Sequence, residues 1–255
     1  MIDVVWTISE LEQFSAQDRP GVLIDVLRAS TTMTTAIHNG ARAVVPAASI
    51  EEALRIGNSI GRDNVLLCGE RQGVRIEGFD LGNSPSEFTA GVIRQRTIVM
   101  TTTNGTRALK LLSGASPVFI GAFVNLRAVA RELSRAERDP LIVCAGLDGR
   151  VSVDDALCAG MLIERCLKKR SKRAGAPELG DGAIAALALA RQQGTVSVDF
   201  LRDTAAGQAL ERVGLGEDLA LCAKVDSILE VPILRDSQIT RLELAEQTAD
   251  GVKRK

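Results

Sequence analysis

Tyrosine is absent from this 255-residue chain, aromatic residues make up 3% of it, and 31 Lys plus Arg stand against 32 Asp plus Glu. So few aromatics remove the stacking platforms used by single-strand nucleic-acid binders, and a net charge of -1 gives no global basic field for nucleic acid or anionic lipid. Any anion site must be local. Histidine occurs once, at His38, which argues against histidine acid–base relays and against zinc held by His and Cys. The five cysteines include no CxxC pair and read as reduced, buried thiols of a cytosolic protein. No stretch reaches the ~18 apolar residues of a membrane span, and residues 1–10 lack a basic segment followed by a long apolar run. A cytoplasmic protein with no nucleic-acid and no membrane partner is the expectation.

What is present is 45% hydrophobic residues, enough to bury the core of one large α/β domain or two small ones. Short apolar runs at 3–7, 21–26, 43–46, 65–68, 97–101, 118–120 and 140–145 alternate with helical patterns, which predicts an α/β fold with a largely parallel or mixed sheet. Ser9 with Glu12, and Ser49 with Glu52, are spaced as capping boxes, and Ser84-Pro85-Ser86-Glu87 adds a proline at the first helical position. Helices should start near 10, 50 and 85, with later ones over 126–137, 155–170, 182–193 and 200–213, the last two stopped by Gly194 and Gly214. One catalytic domain over 1–240 follows, with a subdivision, if any, in the basic loop at 165–180, and a tail at 241–255 read as a frayed helix. The cluster Arg165 to Arg173 is read as the solvated, dipole-favoured end of a helix.

Four segments carry chemistry, at the carboxyl ends of predicted strands where open α/β sheets place ligands. In Gly21–Thr32, an apolar strand delivers Asp25, then Arg28, then the hydroxyls of Ser30 and Thr31 at a helix start. An acid ending a buried strand is costly without a purpose, so Asp25 is a candidate metal ligand or nucleophile and Arg28 a candidate anion fork. The competing reading pairs Asp25 with Arg28 as structural glue. In Thr97–Thr106, a strand turns into Thr102, Thr103, Asn104, Gly105 and Thr106, whose hydroxyls, amide and backbone N–H groups suit phosphate. No GK[ST] ending follows, so a phosphate monoester fits better than a nucleotide. The long loop 69–84 holds Glu70, Arg71, Glu77 and Asp80 among four glycines and reads as an active-site lid. Finally, Asp154-Asp155 opens a helix after the strand ending near Gly146. Asp155 is the preferred metal ligand of the two, and Asn125 either touches substrate or caps the helix at 126.

The blocks Ile24–Thr32, Gly69-Glu70-Arg71, Gly78–Pro85, Thr102–Thr106, Gly121–Asn125 and Asp154–Gly160 resemble the signature blocks of the 2-phosphosulfolactate phosphatase family over roughly residues 1–235. The resemblance implies a three-layer α/β/α fold and Mg²⁺-dependent hydrolysis of (R)-2-phospho-3-sulfolactate, associated with coenzyme M synthesis. On this reading Asp25, Glu70 and a further acid, Asp80 or Asp155, hold Mg²⁺, an ion matched to oxygen ligands. Arg28 and the 101–106 turn take the phosphoryl charge and Arg71 the carboxylate or sulfonate, while Ser30, Thr31, Asn83, Ser84 and Asn125 complete the substrate-binding set. Attack by water and attack by Asp25, giving an aspartyl phosphate, remain rival routes. A phosphotransferase and a non-catalytic anion sensor are the alternative functions. A homodimer is the base-rate expectation for oligomeric state.

Overall fold

A computed structural model describes residues 1–11, 14, 16–61, 64–103, 105–170 and 177–242. The first part of the chain forms β1 (Asp3–Val5), α1 (Ile8–Leu11), β2 (Gly21–Ile24), α2 (Ala29–His38), β3 (Ala43–Pro46) and α3 (Ile50–Ile60). Next come β4 (Val65–Arg71), β5 (Val74–Arg75), α4 (Ala90–Ile93), β6 (Thr97–Thr101), α5 (Gly105–Leu111), β7 (Val118–Gly121), α6 (Leu126–Leu133) and β8 (Leu141–Cys144). A helical stretch follows, α7 (Val153–Arg170), α8 (Asp181–Gln193), α9 (Val198–Asp203), α10 (Ala205–Arg212) and α11 (Asp218–Cys222), and the chain closes on β9 (Pro232–Arg235) and β10 (Gln238–Arg241).

The strands make one sheet in the order β1-β8-β2-β7-β9-β10-β3-β6-β4-β5. Two parallel blocks, β1-β8-β2-β7 and β3-β6-β4, are joined through the antiparallel hairpin β9–β10. Because β9 pairs antiparallel with β7 and β10 antiparallel with β3, the two blocks run in opposite senses. The carboxyl ends of β2 and β6 nevertheless meet: a Cβ on Gly105, after β6, would lie 2.9 Å from Asp25 Oδ2, after β2.

Side-chain alternation sorts the core into layers. Leu23 of β2 and Ile98 and Met100 of β6 face a core shared with Met33 of α2 and Leu109 of α5, which runs beneath both blocks. Val22 and Ile24 face the opposite core, with Leu157 and Leu162 of α7 and Ala186 of α8. Val99 joins Ala53 of α3, together with Ile76 and Phe79 of the loop after β5. The result is the three-layer α/β/α arrangement expected from the sequence.

The boundaries differ instructively. Strand β4 runs on to Arg71 and pairs with β5, so the loop at 69–84 begins as a hairpin, turned by Gln72 (φ 54°) and Gly73 (φ 83°). Near residue 85 there is a single 3-10 turn, Pro85–Glu87, whose Glu87 carboxylate accepts from the Gly82 and Ser84 N–H groups (3.0 and 3.3 Å). The first cap is Thr7, whose Oγ1 accepts from the Glu10 N–H (3.3 Å), so α1 starts two residues early and Glu12 lies outside the described residues. At Ser49 the cap is as expected, accepting from the Glu52 N–H (3.1 Å). The helix over 200–213 is split at Thr204, which caps α10 through the Gly207 N–H (3.0 Å), and α6 stops at Leu133. Hairpin β9–β10 lies outside the strands expected from the sequence; Asp236-Ser237, both at positive φ (49° and 62°), sit between its two short strands. The basic loop at 171–176 and the tail from 243 lie outside the described residues. No described helix is long and apolar enough to cross a membrane.

Candidate active site

A cavity of about 420 Å³ opens where β2, β4 and β6 end, and its wall includes Asp25, Arg28, Glu70, Asn83, Thr102 and Thr103. Asp25 follows an entirely buried strand and is itself 9% exposed. The turn after it is locked: Ser30 N–H donates to the Asp25 carbonyl (2.8 Å), Asp25 N–H to Ser30 Oγ (3.0 Å), and Ala29 N–H to Asp25 Oδ1 (3.1 Å). Burial pushes the Asp25 carboxyl up to about 7; the Ala29 N–H opposes this, while the charges of Glu70 and Asp154 add to it and Arg28 draws it down. A Cβ on Gly105 would lie 2.9 Å from Asp25 Oδ2, so the absence of a side chain there lets α5 start against the carboxylate.

Glu70 reaches the same cavity because Gly69 holds β4 tight against β6. With φ 154°, Gly69 sits where a Cβ would lie 2.2 Å from the Thr101 carbonyl, a position closed to every other residue. Glu70 Oε1 accepts from the Thr103 N–H (2.8 Å) and Thr103 Oγ1 (3.0 Å), and Oε2 accepts from the Gly73 N–H (2.8 Å). The carboxylate is thus fixed between the two turns that frame the cavity.

Arg28 is buried and held on two sides. Its Nη1 donates to Asp218 Oδ2 (2.8 Å) and its Nη2 to the Gly73 carbonyl (2.8 Å). Asp218 in turn accepts from Ser84 Oγ at Oδ1 (2.5 Å), so an arginine, an aspartate and a serine from three separate segments form one buried network. The anticipated Asp25–Arg28 glue is therefore not the pairing found. Asp218 was not singled out in the sequence, where it reads as an ordinary first-turn acid of α11; its buried arginine partner is a tertiary fact.

The remaining expected residues divide into those the fold brings to the cavity and those it spends elsewhere. Asn83 and Thr102 line it, and Asn83 Oδ1, buried, has no hydrogen-bond partner among the described residues. Ser30 and Thr31 do not line it: Ser30 Oγ serves the Asp25 turn and Thr31 Oγ1 donates to the Val26 carbonyl (2.8 Å). Thr106 Oγ1 donates to the Thr102 carbonyl (3.1 Å), bracing the turn, and Asn104 lies outside the described residues. Ser84 lines an adjoining cavity that shares Arg28, Gly73, Asn83 and Val213 with the first. Asn125 does not line the cavity; it takes the N-cap position of α6 as expected, though without a side-chain cap hydrogen bond, its Oδ1 accepting from the Ala122 N–H (3.0 Å) and its Nδ2 donating to the Ile120 carbonyl (3.0 Å). Arg71 donates to the Glu70 carbonyl (2.7 Å) and to Thr101 Oγ1 (3.1 Å) and is not among the lining residues.

The same division applies to the metal. Asp155 does not line the cavity; it is buried with its carboxyl pushed well up, by burial first and then by Asp154 and Asp25, and its oxygens accept from the Val26 N–H (2.8 Å) and the Gly146 N–H (3.0 Å). It ties β2 to β8. Asp80 is exposed, and its Oδ2 accepts from the Leu67 N–H (2.7 Å), pinning the loop to β4. Among the described residues no three His, Cys, Asp or Glu side chains are arranged to hold a metal together. Asp25 and Glu70 remain as a pair of cavity-facing acids, with Asp154 acting on Asp25 through its charge. Two carboxylates fit Mg²⁺, an ion that keeps several waters and takes further oxygens from a substrate phosphate.

The rest of the lining carries no chemical signal in the sequence. It comes from Ala206, Ala209, Leu210 and Arg212 of α10, Val213 just after it, and Leu147 and Asp148 after β8. In the sequence these positions give helix periodicity and a loop, with no chemical signal.

Comparison with known proteins is consistent with this geometry. A sequence profile described as 2-phosphosulpholactate phosphatase matches residues 6–237. A protein of Clostridium beijerinckii named probable 2-phosphosulfolactate phosphatase is 37% identical over 94% of this chain and 98% of its own length. Proteins of the same name from Caldanaerobacter subterraneus subsp. tengcongensis and Symbiobacterium thermophilum are 38% and 40% identical, over 90% and 88% of this chain and 93% and 95% of their own lengths. This chain belongs to the 2-phosphosulfolactate phosphatase family.

Proposed function

We propose that the protein hydrolyses the phosphate monoester of a small, anionic 2-hydroxy acid, 2-phosphosulfolactate or a close relative, with Mg²⁺ bound at Asp25 and Glu70. The observation that carries this reading is the pairing, on one cavity wall, of two buried or fixed carboxylates with an arginine and two threonines. Acids without a cation would repel a phosphate; acids holding one attract it, and the Thr102 hydroxyl and the guanidinium of Arg28 then meet its oxygens. When bound, Mg²⁺ supplies charge neutralisation and polarisation of the phosphoryl group. Arg28, clamped by Asp218, presents its charge without reorganising, and Glu70 keeps the β4 and β6 turns at fixed separation. The ester P–O bond breaks, water contributes OH to phosphorus and a proton to the departing alkoxide, and the hydroxy acid leaves. A cytoplasmic setting and a place in coenzyme M synthesis belong to the same proposal.

The test is phosphate release from 2-phosphosulfolactate, 2-phospholactate and glycerol phosphate, with Mg²⁺ and with chelator. Mg²⁺-dependent release without nucleotide is the expected result. Turnover that requires a nucleotide acceptor, or phosphate binding without turnover, would replace the hydrolase with a phosphotransferase or a sensor.

A further inference from the structure

We infer that Arg212, at the end of α10, reads the second anionic group of the substrate and so sets its selectivity; this rests on the phosphomonoesterase reading above. A dianionic hydroxy-acid ester needs one anion site for phosphate and another for the carboxylate or sulfonate. Two arginines near the cavity are already committed: Arg28, clamped by Asp218 and Gly73, to the phosphate, and Arg71 to the Glu70 carbonyl and Thr101 Oγ1. Arg212 also lines the cavity, yet no described residue forms an ion pair or side-chain hydrogen bond with it. Arg212 is exposed at the cavity mouth, and its neighbours Ala206, Ala209 and Val213 are apolar and small, which leaves room for a ligand. Asp148 lines the cavity too but forms no ion pair with Arg212. Phosphate held by Arg28 and Thr102, beside a cation at Asp25 and Glu70, would leave the rest of a short ester within the same cavity that Arg212 lines.

A basic residue in the last turn also complements the dipole of its own helix. That role predicts a small loss of thermal stability and no discrimination between esters. Steady-state kinetics on 2-phosphosulfolactate and on a simple alkyl phosphate, for the parent, Arg212→Gln and Arg212→Lys, separate the two. The inference expects Arg212→Gln to raise KM for 2-phosphosulfolactate roughly tenfold or more, in line with losing one charge-assisted contact, with kcat little moved. The loss on the alkyl phosphate should be far smaller, and lysine should recover part of the affinity, since it keeps the charge and loses the fork. Equal losses on both esters, or no loss on either, overturn the assignment. If the parent cleaves no ester, the proposed reaction itself falls. Calorimetric titration of sulfolactate then decides Arg212 independently: weaker binding to Arg212→Gln than to the parent upholds it, and equal or absent binding overturns it.

Discussion

The two walls of the cavity are built on different principles. The strand-end wall carries Asp25, Arg28, Glu70 and Thr103, each tied by hydrogen bonds to backbone or to another of the site's groups. The lining from α10 and its flanks carries alanines, leucines, a valine, one arginine and Asp148. Charges on the first wall are held in place before any ligand arrives, which is what transition-state stabilisation requires. The second wall bounds the space and carries a single long, adaptable cation. Chemistry should therefore reside on the first wall and selection on the second.

The sharpest way to break this comparison is to remove charge from the strand-end wall at constant shape. Asp25→Asn and Glu70→Gln should each lower kcat by roughly a thousandfold or more while the protein stays folded, because each removes half of the pair proposed to hold the cation. Asp25→Asn should also change the pH dependence of stability. A carboxyl raised to about 7 in the fold contributes stability that is present below its unfolded value near 3.8 and lost as pH rises through about 7. The parent without metal should thus lose stability relative to the Asn variant over that window, measured by denaturant unfolding at several pH values. Activity near that of the parent in both variants would move the chemistry off this wall.

A smaller effect is expected one layer back. Asp218→Asn leaves Arg28 without its buried counter-charge, a loss of about 3–5 kcal/mol for a broken buried pair, offset in part by the remaining Gly73 contact. The melting temperature should fall by several degrees and kcat/KM by roughly tenfold. An unchanged melting temperature would show that the Arg28–Asp218 pair is dispensable. Smaller again is the helical wall, where Arg212→Gln should move KM for one class of ester and little else.

What the sequence revealed follows the same boundary. Asp25 stood out because four buried apolar residues deliver an acid, and an acid at such a place demands a reason. Glu70 stood out beside Gly69 in a glycine-rich loop, and the Thr-rich turn after β6 announced its donors. Asp155 shares those features, yet it is not among the residues that line the cavity and ties the Val26 and Gly146 N–H groups together instead; no spacing rule distinguishes an acid that faces a cavity from one that staples two strands. Ser30 and Thr31 were misplaced for the same reason, since hydroxyls at a helix start serve the turn as readily as a ligand. Asp218 and the α10 wall were silent because their roles exist through partners up to 190 positions away along the chain. The opposed sense of the two parallel blocks depended likewise on a short hairpin whose Asp-Ser turn carries no glycine.

The most direct test of the central claim, that Asp25 and Glu70 together hold a divalent cation, is calorimetric titration of Mg²⁺ into the parent and into Asp25→Asn at pH values on either side of 7. A proton and the cation compete for Asp25 if its carboxyl titrates near 7. The account predicts parent affinity that weakens steadily as pH falls below about 7 and levels off above it, and an Asn variant with weak binding at every pH. Parent affinity independent of pH and matched by the Asn variant would contradict it.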